Sequence, residues 1–359
     1  MDPRGPILLA SPWPTPNNGV SYYSMRYKEA IERAGRRVES ERICFWNEKT
    51  SFWKWLRILS TARRIRALAV LVEHTPTCSG PLLPWFLGAA RRRGLRTVVV
   101  SHETPSTYAR HLDRFPPAKR AYLGYETAIA RRADAFVVHT RVHAGEMLAL
   151  GAPVAEIIPH PILNLPDADL PRVPLTLGMF GQIGRKKGHD LAVDAIQSRP
   201  VGTFPVLEIW GAPGVGQAGY LEELRSMVRP EFRDRILFCG YMPDDVKARA
   251  FSRMRLSIYP YRWITQSCAM AETVAHGVPF LASDIPFFRD FQESLGCGDL
   301  FRSDDVESLA VELERILSSP DRWKDDDFRR LHAVLDMDFC TARLLRHLDV
   351  LPPIRTEGG

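Results

Sequence analysis

The chain has 359 residues, enough for about two domains with sizeable cores. Its 45% hydrophobic and 25% charged content is that of a soluble globular protein, which excludes disorder, collagen-like repeats or a coiled-coil rod as the main architecture. Charge is uneven: residues 1–150 hold 24 Lys+Arg against 12 Asp+Glu, a net +12 that leaves −6 for the remainder of a chain totalling +6. Such a field attracts phosphates, acidic lipid surfaces or nucleic acid without choosing among them. The longest apolar run, Pro81–Ala90, is about half the ~20 residues a bilayer span needs. The opening residues Met1 to Pro6 lack the charged-then-apolar pattern of a secretory signal. Six cysteines (Cys44, Cys78, Cys239, Cys268, Cys297, Cys340) include no C-x-x-C pair and read as thiols of a reducing compartment, so a cytoplasmic location is expected.

In chain order, Ile7–Ala10 reads as a buried strand, followed by a helix from Ser21 to Ala34 that Gly35 can end. Ala69–Val72 is a second strand, Pro81–Arg93 an apolar helix, Thr97–Val100 a third strand and Ala135–Val138 a fourth. Near-continuous apolar strands separated by helices mark a parallel α/β sheet covered on both faces. The stretch Pro159–Pro174, punctuated by Pro161, Pro166 and Pro171, reads as a linker. The pattern then restarts with strands at Leu175–Phe180, Val206–Trp210, Ile236–Phe238, Leu256–Tyr259 and Pro279–Ala282, and with helices opening at Lys187 and spanning Tyr220–Val228. The expected architecture is two doubly wound parallel sheets facing across a cleft, the default ligand site.

No G-x-S-x-G, H-E-x-x-H or G-x-x-x-x-G-K-[ST] occurs, and the histidines do not fall at metal-ligand spacing. A G-x-G-x-x-G at Gly214–Gly219 lies late in the chain and serves equally as a flexible turn. Four loops remain. Asn17-Asn18-Gly19-Val20-Ser21 joins the first strand to its helix, either as an anion-receiving glycine turn or as a plain turn with a Ser21 cap. Ser101-His102-Glu103 ends the third strand. His102 there would point into the cleft for proton handling or a sugar hydroxyl, or else be satisfied by a backbone carbonyl. Phe180 to Gly188 holds Arg185, Lys186 and Lys187 among three glycines after a strand, a geometry that suits a diphosphate, with Lys187 the favoured ligand and a solvated basic loop the alternative. Ile264 to Glu272 offers Thr265 and Ser267 as helix caps facing an anion, with Glu272 placed for a ribose hydroxyl or for pairing with a nearby cation.

Taken together, these pieces resemble the retaining GT-B glycosyltransferases of family four over roughly residues 6 to 317. Asn18-Gly19-Val20 resembles the family's first glycine loop, and His102 matches its histidine at the end of a later strand. Gly181–Gly188 resembles G-R-L-x-x-x-K-G with Lys187 in the lysine position, Arg235–Pro243 looks like its strand and turn, and Glu272–Pro279 is similar to the stretch around its second glutamate. Two positions depart from the pattern: Gln182 replaces the family arginine, and Ile264 stands where the first glutamate of Glu-x7-Glu is found, leaving Gln266 as its nearest substitute.

The resemblance implies a GT-B fold of two Rossmann-like domains, residues 1–165 binding acceptor and 172–337 binding a nucleotide-sugar donor, with 338–359 crossing back to the first. It implies catalytic roles for His102, Lys187 and Glu272, and donor binding by Gly19, Gly181, Gln182, Lys187, Thr265, Gln266, Ser267 and Glu272. Acceptor binding would fall to Asn18, His102 and Glu103. No metal or other cofactor is implied. A glycan or lipid-linked acceptor is the expected partner, and the basic, aromatic stretch Phe52–Leu59 with Arg63, Arg64 and Arg66 is either an ordinary helix on the sheet or a face for an anionic membrane. Competing readings are a non-catalytic GT-B protein that binds a sugar nucleotide in a regulatory role and an epimerase on the same fold. Nucleic-acid binding is set aside because the arginines are scattered and no recognition helix is evident.

Overall fold

The computed structural model describes residues 5–12, 19–43, 52–76, 78–153, 155–163, 171–214, 216–319 and 325–351. The chain divides into two compact units, Met1–Leu163 with Asp336–Gly359, and Asn164–Leu335. The linker stretch read at 159–174 lies partly outside the described residues, and its described parts form no helix or strand.

The first unit runs β1 (Ile7–Ser11), α1 (Gly19–Arg33), β2 (Val38–Arg42), α2 (Phe52–Arg64), β3 (Ala69–His74), α3 (Leu83–Arg91), β4 (Thr97–Ser101), α4 (Pro105–Ala109), α5 (Pro116–Arg132), β5 (Ala135–Val138), α6 (Arg141–Ala149) and β6 (Ala155–Ile157). The strands form a six-stranded sheet in the order β2-β1-β3-β4-β5-β6, every pairing parallel. Side chains alternate across it as the period of two requires. Leu8, Val70, Val72, Val99 and Phe136 meet Trp55, Phe86 and Leu87 on one face. Ile7, Leu9, Leu71, Val98 and Val137 meet Tyr23, Tyr27 and Ile31 on the other, with Cys340 and Leu344 from the carboxy-terminal helix.

The second unit continues β7 (Thr176–Phe180), α7 (His189–Gln197), β8 (Val206–Trp210), α8 (Ala218–Met227), β9 (Ile236–Gly240), α9 (Asp244–Arg253), β10 (Met254–Tyr259), α10 (Cys268–Ala275), β11 (Phe280–Ser283), α11 (Pro286–Leu295), β12 (Asp299–Phe301), α12 (Val306–Leu317) and α13 (Asp325–Leu335). Its parallel sheet has the order β12-β11-β10-β7-β8-β9. The last helix, α14 (Met337–Val350), returns to the first unit, where Asp349 accepts from the buried guanidinium of Arg36 at 3.0 Å.

Three strands escape a search for apolar runs: β2 (VESER), β6 (AEI) and β12 (DLF). Each sits at a sheet edge, where one side of the ladder is open and polar residues are tolerated. In β2, Glu39 and Glu41 pair with Arg64 and Arg57 of α2. The helix α2 buries Trp55, Ile58, Leu59 and Ala62 against the sheet, while Phe52 and Trp53 remain 44% and 75% exposed.

Candidate active site

In the second unit the basic loop is shaped by what its glycines leave empty. β7 ends at Phe180, and Gly181 follows with φ +116°, a backbone region that side chains avoid. A Cβ there would lie 2.9 Å from Lys187 Nζ and 3.2 Å from Ala269 Cβ, so the missing side chain is what lets the lysine reach the first turn of α10. After a 3₁₀ turn at Arg185–Lys187, Gly188 turns the chain into α7 with φ +62°. Arg262 braces this loop: its backbone N–H donates to Lys186 O at 2.9 Å, and its guanidinium donates to Arg185 O at 2.8 Å and to both Asp190 oxygens.

The three cations then part company. Arg185 turns outward to the exposed Glu223 and lies over the Tyr220 ring at 4.6 Å. Lys186 is exposed. Lys187 turns inward, its ammonium 5.0 Å from the centroid of the buried Tyr261 ring, and forms no ion pair among the described residues. Burial lowers its pKa to about 8, partly offset by the neighbouring Cys268.

The helix facing it, α10, begins at Cys268. Ser267 is its N-cap, accepting from Met270 N–H at 3.1 Å. Thr265 is buried upstream of the helix and does not cap it, contrary to the paired caps expected from sequence. Glu272 lies about one turn into the helix. Its carboxylate accepts from Lys247 of α9 at 2.6 Å, the cation pairing that the sequence left open. Nothing in the sequence marked Lys247, whose ammonium also lies 5.8 Å from the Phe180 ring. Gln182 is exposed and rests against Gly214, while Ile264 and Gln266 are half-buried in the segment before α10. Gly214 itself closes a turn by accepting from Gln217 N–H at 2.8 Å, which accounts for the late glycine cluster.

In the first unit the described strands end in a buried polar layer. His102 is 2% exposed, and both ring nitrogens are engaged. Its Nε2 lies 2.5 Å from Glu73 Oε2 and its Nδ1 3.2 Å from His139 Nε2, where a backbone carbonyl or an open orientation had been expected. His139 Nδ1 donates to Ile158 O at 2.9 Å, and Tyr23 sets its ring edge-on to His102 with centroids 4.8 Å apart. A second pair stands beside the first, His74 Nε2 meeting the Glu126 carboxylate at 3.1 Å. Among the described residues no three such side chains converge as a metal site. Glu103 is half-buried and, after burial itself, is the main influence raising the Tyr108 pKa. Gly19 is the exposed first residue of α1, with open space where a Cβ would stand. Asn18 lies outside the described residues.

Glu73 and His139 were missed, although a signal existed. Three strands end in closely similar words, VLVEH, VVVSH and FVVH, and parallel pairing in register must bring those ends together.

Residues 15–162 match the model of the glycosyl transferase 4-like domain, and residues 174–319 match that of the glycosyl transferases group 1. The chain is 30% identical over 144 residues to a lipopolysaccharide core biosynthesis mannosyltransferase, LpsB, of Rhizobium meliloti. That match takes in 37% of this chain and 38% of the relative's length, well under half of either. Among solved structures, the sucrose-phosphate synthase of Thermosynechococcus elongatus superposes with a TM-score of 0.73 at 17% identity, covering 97% of this chain and 100% of that one. HepE of Anabaena, in complex with UDP and glucose, gives 0.68 at 13% identity over 97% and 100% of the two chains. The lipopolysaccharide outer core galactosyltransferase WaaB gives 0.67 at 14% identity over 96% and 98%. At these identities the likeness is one of fold, and the fold is GT-B.

Proposed function

Because the chain belongs to the group 1 glycosyltransferases, we propose that it moves a sugar from a nucleotide-sugar donor to a lipid-linked or glycan acceptor, with retention at the anomeric carbon and no metal ion. The observation that carries this reading is Lys187: a half-buried, inward-turned ammonium with no ion-pair partner among the described residues, set against the first turn of a capped helix. A buried cation without an anion is costly, and the helix amino terminus adds further positive potential. A diphosphate relieves both.

The chemistry follows from where charge develops. The bond between the anomeric carbon and the diphosphate oxygen breaks, leaving positive charge on the sugar and negative charge on the leaving group. Lys187 and the α10 N–H groups stabilise that negative charge. The acceptor oxygen attacks from the face the diphosphate is leaving, and its proton passes to a diphosphate oxygen. Glu272 takes the ribose hydroxyls while held by Lys247. His102, enclosed as it is, acts as a positioning residue beneath the strand ends.

The lipopolysaccharide mannosyltransferase among the relatives supports a cell-surface glycan as the acceptor. The exposed Phe52 and Trp53, at the start of a helix rich in arginine, support docking of the first unit on an anionic membrane. Sedimentation with anionic vesicles is expected at low salt and should weaken when Trp53 and Phe52 are replaced by serine. No binding at low salt would remove the docking claim.

The activity is tested by thermal shift with UDP, GDP, ADP, CMP and dTDP, followed by hydrolysis of the sugar nucleotide that matches the best binder. Selective stabilisation of several degrees with slow hydrolysis is expected. If none of the nucleotides binds, the transfer reading fails. A second reading, a regulatory protein that binds but does not transfer, is favoured by Ile264 and Gln182 at two family positions. Hydrolysis of the bound donor decides against it.

A further inference from the structure

Glu73 belongs to none of the motifs that identify the family, yet it is the direct partner of His102 in a buried chain of hydrogen bonds. The position of each proton in that chain follows from its far end. A carbonyl can only accept, so His139 Nδ1, 2.9 Å from Ile158 O, carries the hydrogen. A neutral His139 then presents Nε2 as an acceptor, and its hydrogen-bond partner among the described residues is His102 Nδ1 at 3.2 Å, which must donate. A neutral His102 with its hydrogen on Nδ1 has a bare Nε2, and the atom facing it at 2.5 Å is Glu73 Oε2. The carboxyl group must supply the remaining hydrogen. Moving the same proton onto His102 would set a carboxylate and an imidazolium in contact within a buried layer, where both charges lose their solvation.

The surroundings favour the uncharged arrangement. Glu73, His102 and His139 are all at most 4% exposed. The groups facing them are Tyr23 and Tyr27 of α1, His74 at the end of β3, His160 beyond β6 and His143 of α6. Tyr27 in turn faces Cys340 and Arg343 of α14, and that arginine is occupied with Glu156. Burial holds the Glu73 carboxyl well above the usual carboxylate range and brings the His102 imidazole down to about 3.

We infer that Glu73 is a positioning residue that stays a neutral carboxylic acid and, by donating to His102 Nε2, fixes His102 as an uncharged imidazole with its hydrogen on Nδ1. For function this rests on the transfer reading above: an uncharged ring under the strand ends does not repel the positive charge that forms on the departing sugar.

The experiment reads the proton directly. Nitrogen-15 histidine spectra of the full chain at neutral pH are expected to show His102 protonated at Nδ1 alone. Infrared spectra are expected to show a carboxylic-acid carbonyl band that disappears in Glu73→Gln. A doubly protonated His102, or no such band, overturns the inference. The two variants split the role further. Glu73→Gln keeps a donor in the same place and is expected to retain sugar-nucleotide turnover within about threefold, whereas Glu73→Met removes it and is expected to cost at least about tenfold in kcat. Loss of turnover in folded Glu73→Gln equal to that in Glu73→Met overturns the inference as well. The spectra require no substrate, so an unmutated chain that turns over no sugar nucleotide defeats the transfer reading while leaving Glu73 to be decided by its own signals.

Discussion

Lys187→Met is expected to weaken nucleotide-diphosphate binding strongly and, at the same time, to raise the stability of the free protein. The two effects share one cause. The half-buried ammonium lies over Tyr261 with no ion-pair partner among the described residues, and desolvation lowers its pKa from 10.5 to about 8. Below pH 8 the lysine is charged both folded and unfolded, so the folded state carries the full penalty, on the order of 3 kcal/mol by the pKa difference. Between pH 8 and 10.5 the unfolded chain holds a proton that the folded chain has released, so this group makes stability rise with pH across that window. A methionine, neutral at every pH and similar in length, removes the penalty. Its stabilisation over the unmutated chain is therefore largest below pH 8 and fades by about pH 10.5.

A bound diphosphate reverses this balance, since it supplies the anion that the lysine lacks. Nucleotide affinity of the unmutated chain is expected to decline as pH rises through about 8, and to show no such decline in Lys187→Met. Turnover of the sugar nucleotide should drop by about 10²–10³-fold, the size of losing one preorganised charge-stabilising group. Denaturant titration at pH 7 and pH 10, with nucleotide titration alongside, checks all of it. A variant that is less stable and binds as before would refute the assignment of Lys187 to the diphosphate.

Gly188→Ala is expected to be among the most damaging single-methyl changes in the second unit. Its φ of +62° and ψ of 33° already strain a side chain, and a Cβ there would lie 1.9 Å from Pro260 O. The clash is with backbone, which has no rotamer to escape into. The loop would have to lift away from the strand end, taking Lys187 with it and breaking the brace to Arg262. A loss of about 3–5 kcal/mol is expected, read as a lowered denaturation midpoint, together with loss of nucleotide binding. Arg185→Ala, which removes an exposed ion pair and a contact with the Tyr220 ring three residues earlier, should change the midpoint far less. Equal midpoints for the two variants would show that the loop is not held as described.

How much of this was legible beforehand varies from element to element. The interior strands β1, β3, β4, β5, β7, β8, β10 and β11 stand out as short apolar runs because both of their faces are buried, which leaves little freedom in composition. Of the edge strands, β9 carries an apolar run, whereas β2 and β6 do not, because pairing on one side supplies their backbone bonds while their polar side chains stay partly wetted, and β12 has only three residues with a buried Asp299 paired to Arg315. Lys187 could be picked from its glycine-flanked loop, since close backbone approach and positive φ leave a local signature. Its partners could not: Tyr261 and the start of α10 lie more than seventy residues downstream and arrive by folding.

The sequence by itself determined the two doubly wound sheets, the glycine-bounded basic loop and the family to which they point, because burial and backbone strain constrain residues locally. Folding is what settles which of three neighbouring cations turns inward, that Glu272 is paired with Lys247, and that His102 is enclosed between Glu73 and His139. Those facts depend on side chains brought together from different strands and helices, and no spacing along the chain encodes a distance across a sheet.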